Sequence, residues 1–203
     1  MKFIRRIIRF VFISFALLAL GYSAVFGITL LRFSTANVDG TRYFFHESSE
    51  AEISSLHTLA MQNLQISGLY EGAPNATVIL TQSPFEYRVL SFFRNARAFG
   101  NSFAPLSYIV IAPSNIGDDT VITASERYNQ RILHGVLTHE FVHLLLYSYF
   151  GLDTLVQIPV WKVEGYADYI AQEGSFPEGD GEFLRRGERQ QPVFRIFQIP
   201  EGG

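Results

Sequence analysis

The chain predicts an α+β fold, in which an apolar N-terminal helix precedes one domain that combines a short mixed sheet with several helices. Three observations carry this expectation. Residues 10–31 contain no charged side chain. Two runs rich in β-branched and aliphatic residues, 76–81 and 106–111, are each bounded by prolines and read as strands. Apolar residues recur at helical spacing over 50–66 and cover most sides of a helix over 123–150.

The N-terminus explains itself first. Lys2, Arg5, Arg6 and Arg9 precede the charge-free stretch with no acid among them, and Arg32 follows it. As a helix, its 22 residues would span about 33 Å, against a hydrocarbon core of about 30 Å. A cleaved signal peptide is the rival, but its apolar region is typically about 7–15 residues, and Gly21 and Ser23 offer only a mediocre small-x-small cleavage site. An uncleaved signal anchor is therefore expected. The basic excess before the span predicts single-pass insertion in the cell membrane, with 1–32 as cytoplasmic N-terminus and anchor and 33–203 as an extracytoplasmic domain.

That domain, of about 170 residues, is large enough for one real core and too small for two. Its 11 Lys and Arg face 19 Asp and Glu, a net charge of −8 that argues against nucleic acid as a partner. The absence of Cys fits an exported bacterial envelope or surface domain that does not rely on disulfides. Asn75-Ala76-Thr77, formally a glycosylation acceptor, is read as chance.

Residues 33–47, with Gly40 and several polar side chains, read as a juxtamembrane connector. Over 50–66, Ile53, Leu56, Leu59, Ala60, Leu64 and Ile66 make a stripe that should pack on a sheet. His57 lies in this helix and His46 just before it. Neither has a partner at ligand spacing, so both read as ordinary polar or capping residues. Ser83 as N-cap and Pro84 in the first turn predict a short helix over 84–93. Residues 172–203 hold several glycines and a short helix near 182–189, on which Arg185, Arg186 and Arg189 would form a solvated face.

The chemistry concentrates in the helix expected over 123–150, which carries His139-Glu140-Phe141-Val142-His143. At about 3.6 residues per turn, His139 and His143 project from one face and can reach one Zn²⁺. Glu140 lies toward the edge of that face, where it can bond a metal-bound water without filling the coordination sphere. Catalytic zinc usually takes three protein ligands, so a third is needed downstream. Glu164 supplies it, 21 residues after His143, with Gly151, Asp153 and Pro159 marking the intervening loop. Asp168, one turn after Glu164, could accept a hydrogen bond from the free ring nitrogen of a ligating histidine. His134 lies about 140° around the helix from His139 and is poorly placed as a ligand.

Taken together, His139-Glu140-x-x-His143 and Glu164-Gly165-x-Ala167-Asp168 resemble the gluzincin branch of the zinc metallopeptidases, over roughly 102–172. The resemblance implies a small zincin-like domain with one Zn²⁺ per chain, held by His139, His143 and Glu164. It also implies Glu140 as general base, Asp168 as the orienting group, and a peptide or protein as substrate. An oxyanion donor in such a site is usually a Tyr or His; Tyr166, Tyr169, Tyr149 and His134 are the candidates, with packing on a neighbouring helix the plainer role for Tyr166 and Tyr169. Zinc peptidases of this kind lay substrate along a sheet edge, for which 101–108 is the candidate, unless that strand is central.

Other zinc plans fit worse. No histidine follows within the eight residues after His143, as a three-histidine metzincin site would need, and no thiolate is present for a deformylase-like site. The hypothesis from a different class is a membrane-tethered binding or assembly module with a structural or vestigial metal site. An intact Glu140 favours hydrolysis, since a purely structural site has no use for a base beside its ligand.

Overall fold

The computed structural model describes residues 2–95, 97–122 and 130–172. It is an α+β chain with a small mixed sheet, preceded by helix α1 (Lys2–Leu30). Among the described residues, α1 is the one helix long and apolar enough to cross a membrane or to serve as a signal sequence. The basic tail cluster, Arg185, Arg186 and Arg189, and the helix expected near 182–189 lie outside the described residues.

The stretch expected to be a connector is a hairpin. Strands β1 (Ser34–Val38) and β2 (Thr41–Phe45) pair antiparallel across Asp39-Gly40, both at positive φ, 49° and 85°. Asp-Gly is the pair that a tight turn of this hand prefers. In β2 the side chains of Thr41, Tyr43 and Phe45 are buried while Arg42 is exposed, the alternation that a strand with one buried face requires. Helix α2 (Glu50–Leu64) then starts with a capping box in which Ser49 Oγ accepts from the Glu52 backbone and Glu52 reaches back to Ser49. Its buried face is Ile53, Leu56, Ala60 and Leu64, as the stripe predicts.

Strand β3 (Thr77–Leu80) and helix α3 (Pro84–Leu90, N-capped by Ser83) follow as expected, though α3 ends three residues early. Phe92 and Phe93 stop it, both in the left-handed region. The run 101–108 divides in two. Residues 100–103 form β4 (Gly100–Phe103), a short 3-10 turn Ala104–Leu106 follows, and Tyr108 begins β5 (Tyr108–Ile111). Pro105 and the left-handed Ser107 make the break. The sheet runs β1-β2-β3-β5-β4, parallel through β2, β3 and β5 and antiparallel at both ends. Hence 101–103 occupies an edge, whereas Tyr108 belongs to an inner strand.

A second sheet, β6 (Ser114–Asn115), β7 (Thr120–Ile122) and β8 (Gln130–Ile132), leads into helix α4 (Leu133–Phe150). Of the helix expected over 123–150, residues 130–132 are corrected to strand β8, so α4 begins at Leu133, and 123–129 lie outside the described residues. Nothing at Ile132 can cap the new helix with a side chain, and Asp119 does so from a distant turn. Its carbonyl accepts the Leu133 N–H at 2.9 Å and its Oδ1 the His134 N–H at 2.9 Å. Helix α4 packs against α2, β4 and, after the short α5 (Asp153–Val156), helix α6 (Val160–Ala171). Phe141, Val142 and Leu146 of α4 join Ile53, Ile79, Ile109 and Ala167 in one continuous core.

Candidate metal centre

Two helices bring the site together, each through a pair of residues one turn apart. Helix α4 carries His139 and His143, and α6 carries Glu164 and Asp168. His139 Nε2 lies 3.1 Å from His143 Nε2 and 3.3 Å from Glu164 Oε2, and His143 Nε2 lies 3.7 Å from Glu164 Oε1. One ligand atom from each of the three residues falls within 4.8 Å of the other two, so the group could hold a metal ion.

The donor set can be tested for fit. Tetrahedral coordination with bonds of about 2.0–2.2 Å separates adjacent ligand atoms by about 3.3–3.6 Å. The separations of 3.1 Å between the two imidazoles and 3.3 Å from His139 to Glu164 Oε2 lie close to that value, and the other carboxylate oxygen, Oε1, lies 3.7 Å from His143 Nε2. Two imidazoles and one carboxylate also match the ligand chemistry of a borderline cation. Asp168 Oδ1 sits 2.9 Å from His139 Nδ1, which leaves Nε2 turned toward Glu164 and His143. Electrostatics favour positive charge at this point. Burial opposes protonation of His139, yet the carboxylates of Asp168 and Glu164 raise its pKa to about 10. Hydrogen bonding from His139 holds Glu164 below its usual range, against its own burial, and burial lowers His143.

Glu140 points off this cluster toward the edge strand and is 6% exposed. A Cβ built on Gly100 of β4 would come within 2.5 Å of Glu140 Oε1, 2.7 Å of its Cγ and 2.8 Å of its Cδ. A glycine on the strand is thus what lets the carboxylate lie against the sheet edge. Asn101, next along β4, donates to the Tyr87 hydroxyl, which itself donates to Ala98 O at 3.0 Å. This network ties α3 to β4. Burial, and after it the neighbouring Glu140, raise the Tyr87 pKa.

Around these groups lies a cleft of about 960 Å³, with His139, Glu140, His143, Glu164 and Asp168 in one wall and β4 in another. Gly100, Asn101 and Phe103 represent the edge strand there. Arg94 Nη1 donates to Ser102 O at 3.2 Å, covering one carbonyl of that edge. No family model matches the chain, and neither does any curated protein or solved structure.

None of the four residues considered as oxyanion donors is among the cleft-lining residues. Tyr166 is buried with its hydroxyl 2.7 Å from Ser67 Oγ, because it faces away from Glu164 on α6 and packs toward the segment after α2. His134 pairs with Asp119 at the start of α4. Tyr149 is exposed and borders a separate cavity of about 310 Å³, and Tyr169 is exposed on α6. Among the polar cleft residues that the sequence analysis passed over are Tyr147 and Arg131. Tyr147 follows His143 by one turn, so the stripe 139, 143, 147 was open to view. Arg131, just before α4, sets its guanidinium 4.9 Å from the Phe99 ring centroid. Its place depends on a strand the sequence did not reveal.

Proposed function

We propose that this chain is a membrane-anchored zinc metallopeptidase, with a cytoplasmic N-terminus and a domain on the other side that hydrolyses peptide bonds in a peptide or protein substrate. The observation that carries the reading is the convergence of His139, His143 and Glu164 beside a buried Glu140, all in the wall of a cleft floored by a sheet edge. His139, His143 and Glu164 would hold one Zn²⁺. When bound, such an ion polarises a carbonyl and lowers the pKa of its water toward about 7.

The rest falls to the chain itself. The Glu140 carboxylate takes a proton from the attacking water and passes it to the departing amine nitrogen. Asp168 holds His139 in one orientation through Nδ1. Backbone groups of β4 not used by β5 can bond an extended peptide, and Tyr147 is the phenol in the cleft that can meet a developing oxyanion. Helix α1 supports retention of the anchor, because the Tyr22 ring packs on Phe92 and Phe93 and its hydroxyl donates to Val89 O. Cleavage after Ser23 would remove those contacts.

The test is Glu140→Gln. The variant should bind one zinc per chain as the parent does and lose about 10²–10⁴ in kcat. Unchanged turnover, or no zinc in the parent, would leave the tethered binding module as the better description.

A further inference from the structure

The cleft and the membrane helix are linked by one chain of aromatic rings. The Phe92 ring lies 5.6 Å, centroid to centroid, from Phe26 of α1 and 5.9 Å from Tyr22, and on its other side 5.3 Å from Phe103. Phe103 belongs to the cleft wall, so a single side chain separates α1 from the cleft. Phe93 adds a contact to Tyr22 at 6.2 Å, and the Tyr22 hydroxyl donates to Val89 O of α3.

The attachment also lacks slack. Only residues 31–33 separate α1 from β1, and their N–H groups still bond back to Gly27, Thr29 and Leu30. Phe33 is already in the core. A hydrocarbon layer of about 30 Å takes about 20 residues, so wherever it is set within Ile4–Leu30 its outer boundary falls at about residues 23–30. Phe26, which stacks on Phe92, lies in that interval, and Tyr22, which meets Phe92 and Phe93, lies just before it. With α1 in a bilayer, as proposed above, the short attachment holds the domain at the membrane and brings its surface next to α1 to the lipid headgroups.

That surface has the composition such a meeting needs. Phe85, Phe93 and Leu106 are exposed at 62%, 66% and 70%. Between residues 87 and 117 the chain holds Arg88, Arg94 and Arg97 and no acid, although the domain as a whole carries −8. Aromatic side chains beside arginines suit an anionic membrane interface. Arg94 and Leu106 are at once part of this surface and of the cleft lining.

We propose that α3, Phe93, Arg94, Arg97 and the Leu106 turn form a second membrane contact beside α1, which keeps the mouth of the cleft at the lipid surface. The substrates are then peptide segments that adjoin another protein's membrane span, not freely soluble peptides. The substrate half rests on the peptidase reading above; the membrane contact does not.

The experiment uses the full chain in vesicles of phosphatidylcholine and phosphatidylglycerol containing lipid brominated near the headgroup end of its acyl chains. In a Trp161→Phe background, Phe93→Trp and Leu17→Trp each supply one tryptophan. Both emissions should be quenched. Quenching at Leu17→Trp without quenching at Phe93→Trp overturns the second contact and leaves the anchor standing, whereas no quenching at either overturns the anchor with it. The parent is then given two single-span substrates sharing one cut sequence, placed next to the span or beyond a 20-residue proline-rich spacer of roughly 60 Å. The span-adjacent site should be cut at least about tenfold faster. Equal rates overturn the substrate assignment; no cutting of either substrate by zinc-loaded protein, or a parent that binds no zinc, overturns the peptidase reading instead.

Discussion

Gly100→Ala should disarm the proposed site while sparing the residues proposed to hold its metal. The added methyl carbon would stand 2.7 Å from Glu140 Cγ and 2.8 Å from Cδ. Carbon atoms settle at about 3.5–4.0 Å, so the two groups must part by about 0.7–1.3 Å. Gly100 is not in the left-handed region, so the backbone accepts alanine and space alone is at issue. Glu140 is enclosed between α4 and β4, which leaves either a shifted carboxylate or a strand pushed from α4. Overpacking of this kind costs about 1–3 kcal/mol. For a domain of about 170 residues that is a Tm lower by about 2–12 °C. A 1 Å misplacement of a reacting group can cost about 10²-fold in rate. The assay is kcat/KM at equal zinc content, measured for Gly100→Ala, Glu140→Gln and the double variant. If the methyl acts through Glu140, the double variant is no slower than Glu140→Gln alone. Parent-like activity in Gly100→Ala, or losses that simply multiply, would refute the proposed placement of the carboxylate.

Three further outcomes follow from other contacts. Asp168→Asn should weaken zinc binding by about 10–100-fold in chelator competition while leaving the fold intact, and Glu164→Ala should weaken it further. His57 should make stability fall on acidification. Burial lowers its pKa, opposed in part by Asp39, and its Nδ1 lies 2.8 Å from the Tyr43 hydroxyl. A histidine whose folded pKa is depressed contributes stability that is complete above about pH 6.5 and is lost as pH falls through the folded value. Urea unfolding between about pH 8 and pH 5 should therefore show a shallower decline in His57→Gln than in the parent, and parallel curves would count against the assignment.

What could be read from the sequence is what depends on neighbours within a turn. His139 with His143 and Glu164 with Asp168 are pairs four residues apart on helices, and the fold need only bring two helix faces together. Gly151 and Pro159 marked the reversal that does so. What escaped depends on partners far along the chain. The start of α4 is set by Asp119, 14 residues upstream of Leu133, so no local cap signals it. Parallel pairing of β2 with β3 and of β3 with β5 leaves no turn motif between the strands. Gly100 looks like any loop glycine until Glu140 is found lying on it. The hairpin is a different case: Asp39-Gly40 was a usable turn signal, outweighed by the polar residues around it.

The proposed ligands and the proposed base are held by different parts of the molecule, and this separates their response to loss of α1. His139, His143 and Glu164 stand on α4 and α6, which pack on each other and on the core. Glu140, by contrast, is confined by β4. That strand is held by Asn101 to Tyr87 and by Arg94 to Ser102 O, both from α3 and the segment after it, and α3 packs on α1. Removing residues 1–32 breaks three ring contacts, Tyr22 with Phe92, Tyr22 with Phe93 and Phe26 with Phe92. Each such pair contributes about 0.5–1.5 kcal/mol, so the truncated domain should unfold about 3–18 °C below the full chain in detergent. Its zinc content should be unchanged, since no ligand touches α1, while kcat/KM falls as β4 loosens against Glu140. Equal Tm and equal kcat/KM in the two forms would mean that α1 is only a tether, and that the aromatic chain from Tyr22 to Phe103 transmits nothing to the site.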